Sequence, residues 1–247
     1  MNLDLNAILA RAAALEQELP PLQWSEEGSL AGVAGWIDHT LLKPEATPDQ
    51  IERLCQEARV HQFAAVCVNP VYVPRCRPLL EGSSTRVCTV VGFPLGATLT
   101  GAKVDETRRA IEAGAQEIDM VIAVGLLRAG EYQAAAEDIG AVVEASHAQQ
   151  ALVKVILEMC LLSRSEKIMA CLLSQAVGAD FVKTSTGFGS GGATLEDVEL
   201  MRRVIGPQMG LKAAGGIRSL ADARAMLRAG ATRLGTSAGV KIVQEAG

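Results

Sequence analysis

Eight short apolar runs, each followed by a stretch of helical periodicity, constrain this chain more than any other feature in it. The runs are GWIDHTLL (35–42), AAVCVN (64–69), RVCTVVGFP (86–94), EIDMVIAV (117–124), LVKVILEM (152–159), FVKTST (181–186), GLKAAGG (210–216) and RLGTS (233–237). Between them, ATPDQIERLCQEARVH opens with Thr47 as N-cap and Pro48 at the first helical position. TLTGAKVDETRRAIEAGA closes on a glycine suited to a left-handed C-cap. PVYVPRCRPLLEG is the weakest helix, because prolines interrupt it. Strands in strict alternation with helices call for a parallel sheet, and eight such units close into a (β/α)8 TIM barrel. A doubly wound open sheet is the competing arrangement. It places a glycine-rich fingerprint after its first strand, where this chain has DHTLLKP.

The length of 247 residues suits one such barrel. Aromatic residues are only 3% against 49% hydrophobic, so the core is built from Ala, Val, Leu and Ile, as a helix-covered parallel sheet requires. Ahead of the first strand, Leu5, Ile8, Leu9, Ala12 and Leu15 share one helical face. Residues 1–22 are therefore expected to form a helical extension, capping the barrel bottom or meeting another subunit, and residues 23–247 the catalytic barrel. A net charge of −5 argues against a nucleic-acid binder. No basic leader with an apolar stretch opens the chain, and no run of about 18 apolar residues is present, so a cytoplasmic protein off the membrane is expected. The six cysteines form no CxxC pair, which disfavours a structural zinc site.

Charged groups inside apolar strands carry a desolvation cost and need a reason. Asp38, Asp119, Lys154, Lys183 and Lys212 all sit in such strands. For a single strand-end lysine, a salt bridge closing the barrel top is a sufficient reason; three lysines and two aspartates on five strands suggest a site. A lysine is nucleophilic near neutrality only when its pKa falls from about 10.4, which burial and a neighbouring cation both favour. Lys183 and Lys212, ending consecutive strands, fit that device. Lys183 would attack a carbonyl and form a protonated imine, an electron sink for breaking a neighbouring C–C bond, with Asp119 moving the protons. Gly187, Gly215–Gly216 and Gly235 with Ser237 would expose backbone N–H groups to a phosphate, where barrels commonly bind one. His39 adjoins Asp38, but strand neighbours face opposite ways, and Asp38 is the one assigned to the interior.

In these residues the chain resembles the deoxyribose-phosphate aldolase family of class I aldolases. The matching segments are DHTLL (38–42), AVCVNP (65–70), VVGFPLG (90–96), EIDMV (117–121), KVILE (154–158), FVKTSTGF (181–188), KAAGG (212–216) and RLGTS (233–237). The resemblance implies reversible cleavage of 2-deoxy-D-ribose 5-phosphate to D-glyceraldehyde 3-phosphate and acetaldehyde, with no metal and no cofactor. It implies Lys183 as the Schiff-base lysine, Lys212 as the lysine that tunes it and Asp119 as the proton-transfer carboxylate. Asp38, Cys67 and Lys154 fall in matching active-site segments, Lys154 as part of the surrounding charge network. Gly187, Gly215, Gly216, Gly235 and Ser237 match phosphate-binding positions. A homodimer or homotetramer is implied. The chain departs from the pattern in having Ala238 where a second serine is common, Phe188 where some relatives carry lysine, and no tail ending in tyrosine. A phosphosugar isomerase or epimerase using Asp119 and Asp38, and a barrel that only binds a phosphorylated ligand, are the alternatives from other classes.

Overall fold

A computed structural model describes residues 3–23 and 32–246. The boundary drawn at residues 22 and 23 therefore abuts a segment, 24–31, outside the described residues, as are Met1 and Asn2. Helix α1 (Leu5–Gln17) precedes strand β1 (Ile37–Leu41). Then follow α2 (Pro48–His61), β2 (Ala65–Val68), α3 (Val73–Leu79), β3 (Arg86–Val91), α4 (Thr100–Glu112) and β4 (Glu117–Val121). The second half runs α5 (Val124–Arg128), α6 (Tyr132–His147), β5 (Leu152–Ile156), α7 (Arg164–Ala176), β6 (Phe181–Lys183) and α8 (Leu195–Ile205). It ends with β7 (Gly210–Ala214), α9 (Leu220–Arg228), β8 (Arg233–Thr236) and α10 (Gly239–Gln244). The eight strands pair in chain order, all parallel, and β8 returns to β1 to close the barrel.

Local chemistry places the helix starts. Thr47 and Gln50 form a capping box ahead of Pro48, Ser163 and Glu166 do the same for α7, and Ser219 and Asp222 for α9. Each satisfies N–H groups that a helix start otherwise leaves without partners. Helix α3 is short, as its prolines dictate, and a 3-10 turn over Pro70–Tyr72 leads into it.

Alternation along the strands splits the interior in two. Ile118 and Met120 of β4, Val153 and Val155 of β5, and Leu211 and Ala213 of β7 face the helices in one continuous apolar layer. Burying an Ile, Val, Leu or Met side chain of this layer contributes roughly 1.5–3 kcal/mol. The opposite faces point into the barrel. There a small apolar cluster of Leu42, Ala65, Cys67, Cys88 and Val90 has Phe93 packed on it, and Val121, Ile156 and Ala214 share the inward face of their strands. Beside them lie the buried charged side chains Asp38, Glu117, Asp119, Lys154, Lys183 and Lys212.

Three sequence expectations change in detail. Strand β6 ends at Lys183, so 184–186 leave the sheet, and β4 ends at Val121 with the apolar run continuing into α5. Helix α1 does not cap the barrel bottom. It lies along α7 in the outer layer, where Arg11 donates to Gln175 Oε1 at 3.0 Å and to the Val204 carbonyl at 3.2 Å.

Candidate active site

Lys183 is the last residue of β6 and the Cα partner of Lys212 on β7. Their side chains converge on one atom: Lys183 Nζ donates to Asp119 Oδ2 at 2.8 Å, and Lys212 Nζ to the same oxygen at 2.7 Å. The other oxygen, Oδ1, accepts from Lys154 Nζ at 2.8 Å. Lys154 also reaches Glu117 Oε2 at 2.6 Å. Arg233 Nη2 lies 2.8 Å from Glu117 Oε2 and 2.5 Å from Asp38 Oδ1, and Asp38 Oδ2 contacts Lys212. The contacts close a ring, Asp119–Lys154–Glu117–Arg233–Asp38–Lys212, with Lys183 attached to it from outside.

Of these groups, Lys183 alone enters the lining of a cavity of about 400 Å³ at the C-terminal mouth of the barrel. Gly187, Gly215, Gly216, Gly235 and Ser237 line that cavity with it, together with Thr186, Phe188, Lys43 and Arg218. Asp38, Cys67, Lys154 and Lys212 are wholly buried beneath it, as is Asp119, and do not form its wall. His39 points outward, its Nε2 2.7 Å from Glu57 Oε2 and its ring against Phe63.

The loop geometry requires particular glycines. Gly215 has a φ of 91°, and a Cβ there would come within 2.9 Å of Gly192 Cα, so two backbones cross where a side chain cannot fit. A Cβ at Gly235 would fall 3.1 Å from Lys212 Cε, so its absence leaves the lysine stem room to reach Asp119.

Electrostatics follows from the pairing. Burial alone pushes the Asp119 carboxyl up, but Lys154, Lys183 and Lys212 packed against it hold it well below the usual carboxylate range. Asp38 behaves likewise, burial being outweighed by Arg233, Lys212 and Lys154. Burial disfavours charge on Lys212, yet Asp119 and Asp38 hold it above the ordinary lysine range. Lys154 is raised too, against burial, by Asp119, Cys88 and Glu117. Asp119 is thus an ionised acceptor between fixed cations. The Cys67 thiol is shifted down chiefly by its hydrogen bond with Cys88, whose own thiol burial pushes up.

Among the described residues two groups of side chains have metal-ligating composition: Cys67, Cys88 and Asp119, and Asp38, Cys88 and Glu117. Lys154 already serves them, since its ammonium donates to Cys88 Sγ at 3.3 Å as well as to Asp119 and Glu117. A cation is built into the protein where a metal would be held, so these residues do not fit a resident metal.

Three residues escaped the sequence reading. Glu117 and Arg233 open their strands and resemble solvated strand-start charges; their signal is the two-residue spacing from Asp119 and Gly235, which puts them on the inward face. Glu158, with a φ of 55°, accepts from the Thr186 amide at 3.3 Å and from its hydroxyl, and Thr186 Oγ1 in turn accepts from the Phe188 amide at 3.0 Å. It thereby fixes the loop that carries Gly187. No spacing rule predicts a left-handed glutamate.

Fold and cluster together define a class, a (β/α)8 enzyme whose carbonyl chemistry is built on lysines. Residues 33–245 match the model of the DeoC/LacD family aldolases, and the chain belongs to that family. It is an aldolase, a carbon–carbon lyase. It is 61% identical over 208 residues to a deoxyribose-phosphate aldolase of Streptococcus uberis, covering 84% of this chain and 94% of the relative. A solved structure from Coccidioides immitis superposes with a TM-score of 0.91 at 44% identity, covering 98% of this chain and 95% of its own. The deoxyribose phosphate aldolase from Aeropyrum pernix, described as tetrameric, gives a TM-score of 0.83 at 34% identity, with 98% and 97% covered.

Proposed function

We propose that this chain reversibly cleaves 2-deoxy-D-ribose 5-phosphate to D-glyceraldehyde 3-phosphate and acetaldehyde through an imine on Lys183. The observation that carries the proposal is that Lys183, alone among the described residues, both lines the mouth cavity and shares a buried carboxylate oxygen with a second lysine. The amine of Lys183 adds to the C1 aldehyde, and the carbinolamine loses water to a protonated imine. Withdrawal of the C3 hydroxyl proton breaks the C2–C3 bond. The electron pair moves into an enamine, and glyceraldehyde 3-phosphate departs. Protonation of the enamine at C2 and addition of water release acetaldehyde and restore the amine. Asp119, ionised and in contact with Lys183, takes and returns protons at the nitrogen; Lys212 supplies the fixed positive charge beside it.

Gly187, Gly215, Gly216, Gly235 and Ser237, which line the cavity with Lys183, hold the phosphate with backbone and hydroxyl donors. Asp38, Cys67 and Lys154 shape the site from below rather than by touching substrate. The unit spanning 23–247 carries the activity, with residues 1–22 as an appendage, and it works as a homo-oligomer in the cytoplasm. The tetrameric Aeropyrum pernix relative supports the assembly. Among the described residues no helix is long and apolar enough to cross a membrane.

Borohydride reduction in the presence of deoxyribose 5-phosphate tests the proposal. Irreversible inactivation with a mass adduct on Lys183 is the expected result. An unmodified enzyme that still turns over substrate would favour an epimerase without a covalent step, and an unmodified, inactive protein a binding barrel.

A further inference from the structure

The ring beneath the cavity contains three carboxylates, Asp38, Glu117 and Asp119, and three cations, Lys154, Lys212 and Arg233. Each ring cation pairs closely with two carboxylates: Lys212 has Asp38 and Asp119, Lys154 has Glu117 and Asp119, with Asp38 more distant at 3.8 Å, and Arg233 has Asp38 and Glu117. The set is neutral in itself. Lys183 is the fourth basic group, and its one carboxylate is already claimed by Lys154 and Lys212. A proton on Lys183 would leave one positive charge without a counter-ion in a place almost closed to water, where desolvation is costly. Without it, every charge in the cluster is matched.

We propose that Glu117 and Arg233, on the barrel floor away from the cavity, are positioning residues that set the protonation state of Lys183 by closing the ring at three charges against three. Arg233 occupies one oxygen of Asp38 and Lys212 the other, with Lys154 3.8 Å from that second oxygen, so Asp38 is fully committed within the ring and is not a counter-ion for Lys183. Glu117 occupies Lys154, which limits that lysine's claim on Asp119. The other titratable groups facing the ring are Cys67 on β2 and Cys88 on β3. Arg86 also approaches, its Nε 3.9 Å from Glu117 Oε1 on a half-exposed side chain that water screens. From β1, β4, β5, β6, β7 and β8 come only the ring members and Lys183. Glu158 is committed to Thr186.

The inference rests on Lys183 being the imine-forming amine, so the parent enzyme is tested first. A borohydride adduct on Lys183 must be present before the variants carry meaning, and its absence overturns the mechanism itself. The pH at which cyanoborohydride trapping sets in is then measured with deoxyribose 5-phosphate. Glu117→Gln removes a negative charge, and its onset is expected about one unit lower; Arg233→Gln removes a positive charge, and its onset about one unit higher. Glu117→Asp and Arg233→Lys preserve charge and should keep the parent onset even if kcat falls. The double variant Glu117→Gln with Arg233→Gln restores the balance and should return close to the parent. A merely structural role predicts lost stability or kcat with no opposed movement, so shifts of one sign, or none, overturn the proposal. Should a single variant fail to fold, the double variant decides: an onset within about 0.3 units of the parent upholds charge matching, and a displaced one rejects it.

Discussion

Lys183 and Lys212 stand opposite one another across β6 and β7 and donate to the same oxygen of Asp119, at 2.8 and 2.7 Å. Among the described residues no other charged side chain both lines the cavity and joins the buried ring, so removing this amine removes the covalent route. Lys183→Leu is expected to abolish aldol cleavage. Activity retained above about one hundredth, a level acid–base assistance alone can supply, would count against it. In Lys212→Leu the fixed cation is gone, and imine trapping should begin at a higher pH; an unmoved onset with activity kept contradicts the pairing.

Because Lys154 fills the position between the candidate ligand groups, chelation should have no effect. Turnover of deoxyribose 5-phosphate is expected to be equal with and without EDTA. Loss of activity, recovered by adding a divalent cation, would overturn the metal-free mechanism.

The ring also predicts how stability varies with pH. Asp38 and Asp119 titrate in the fold below their ordinary value of 3.8, so their contribution is present above that pH and lost as acid is added below it. Lys154 and Lys212 titrate above 10.5, so their contribution is present below that pH and lost in stronger base. Thermal unfolding should show a plateau between about pH 5 and 10 from this cluster. Asp38→Asn leaves Arg233 and Lys212 short of a partner and should cost about 3–5 kcal/mol at neutral pH, with a shallower acid fall. A melting temperature that rises on acidification to pH 3.8 would contradict the assignment.

Arg202 on α8 is almost completely buried, and its guanidinium donates to the carbonyls of Gly206, Met209 and Gly230 at 2.5–2.9 Å. Burial alone lowers it to about 10. Arg202→Leu strands those carbonyls at about 1–3 kcal/mol each. Chemical denaturation should register a loss of at least about 3 kcal/mol, while the folded fraction keeps its kcat.

Glu158 holds the Gly187 loop through the Thr186 amide and hydroxyl rather than by meeting substrate. Glu158→Ala should raise KM for the phosphorylated sugar about tenfold, equivalent to one charge-assisted hydrogen bond, with a smaller change in kcat. Equal loss on substrates with and without the phosphate would argue against a loop-fixing role.

The barrel was legible in the sequence because each strand alternates faces and helices such as α2, α7, α8 and α9 begin with their own caps. Lys183, Lys212 and Asp119 were legible for a related reason, being charges that apolar strands have no cause to contain. Glu117 and Arg233 were not, since a charge at a strand's first residue is ordinarily solvated, and only closure of the barrel brings β4 next to β8 across the floor. The run 117–124 reads as one strand because hydrophobicity does not distinguish the end of β4 from the start of α5. The place of α1 depends on which groove accepts its apolar side, and its sequence names the face but not the groove.

The ring's acids all come from β1 and β4, and its bases, with Lys183, all come from β5 to β8. Divided after β4, the barrel becomes a pair of oppositely signed inner surfaces, each unfavourable to seal off from water without the other. The half made first must stay open until its counterpart arrives, so the reactive amine and the completed wall come into being in the same event.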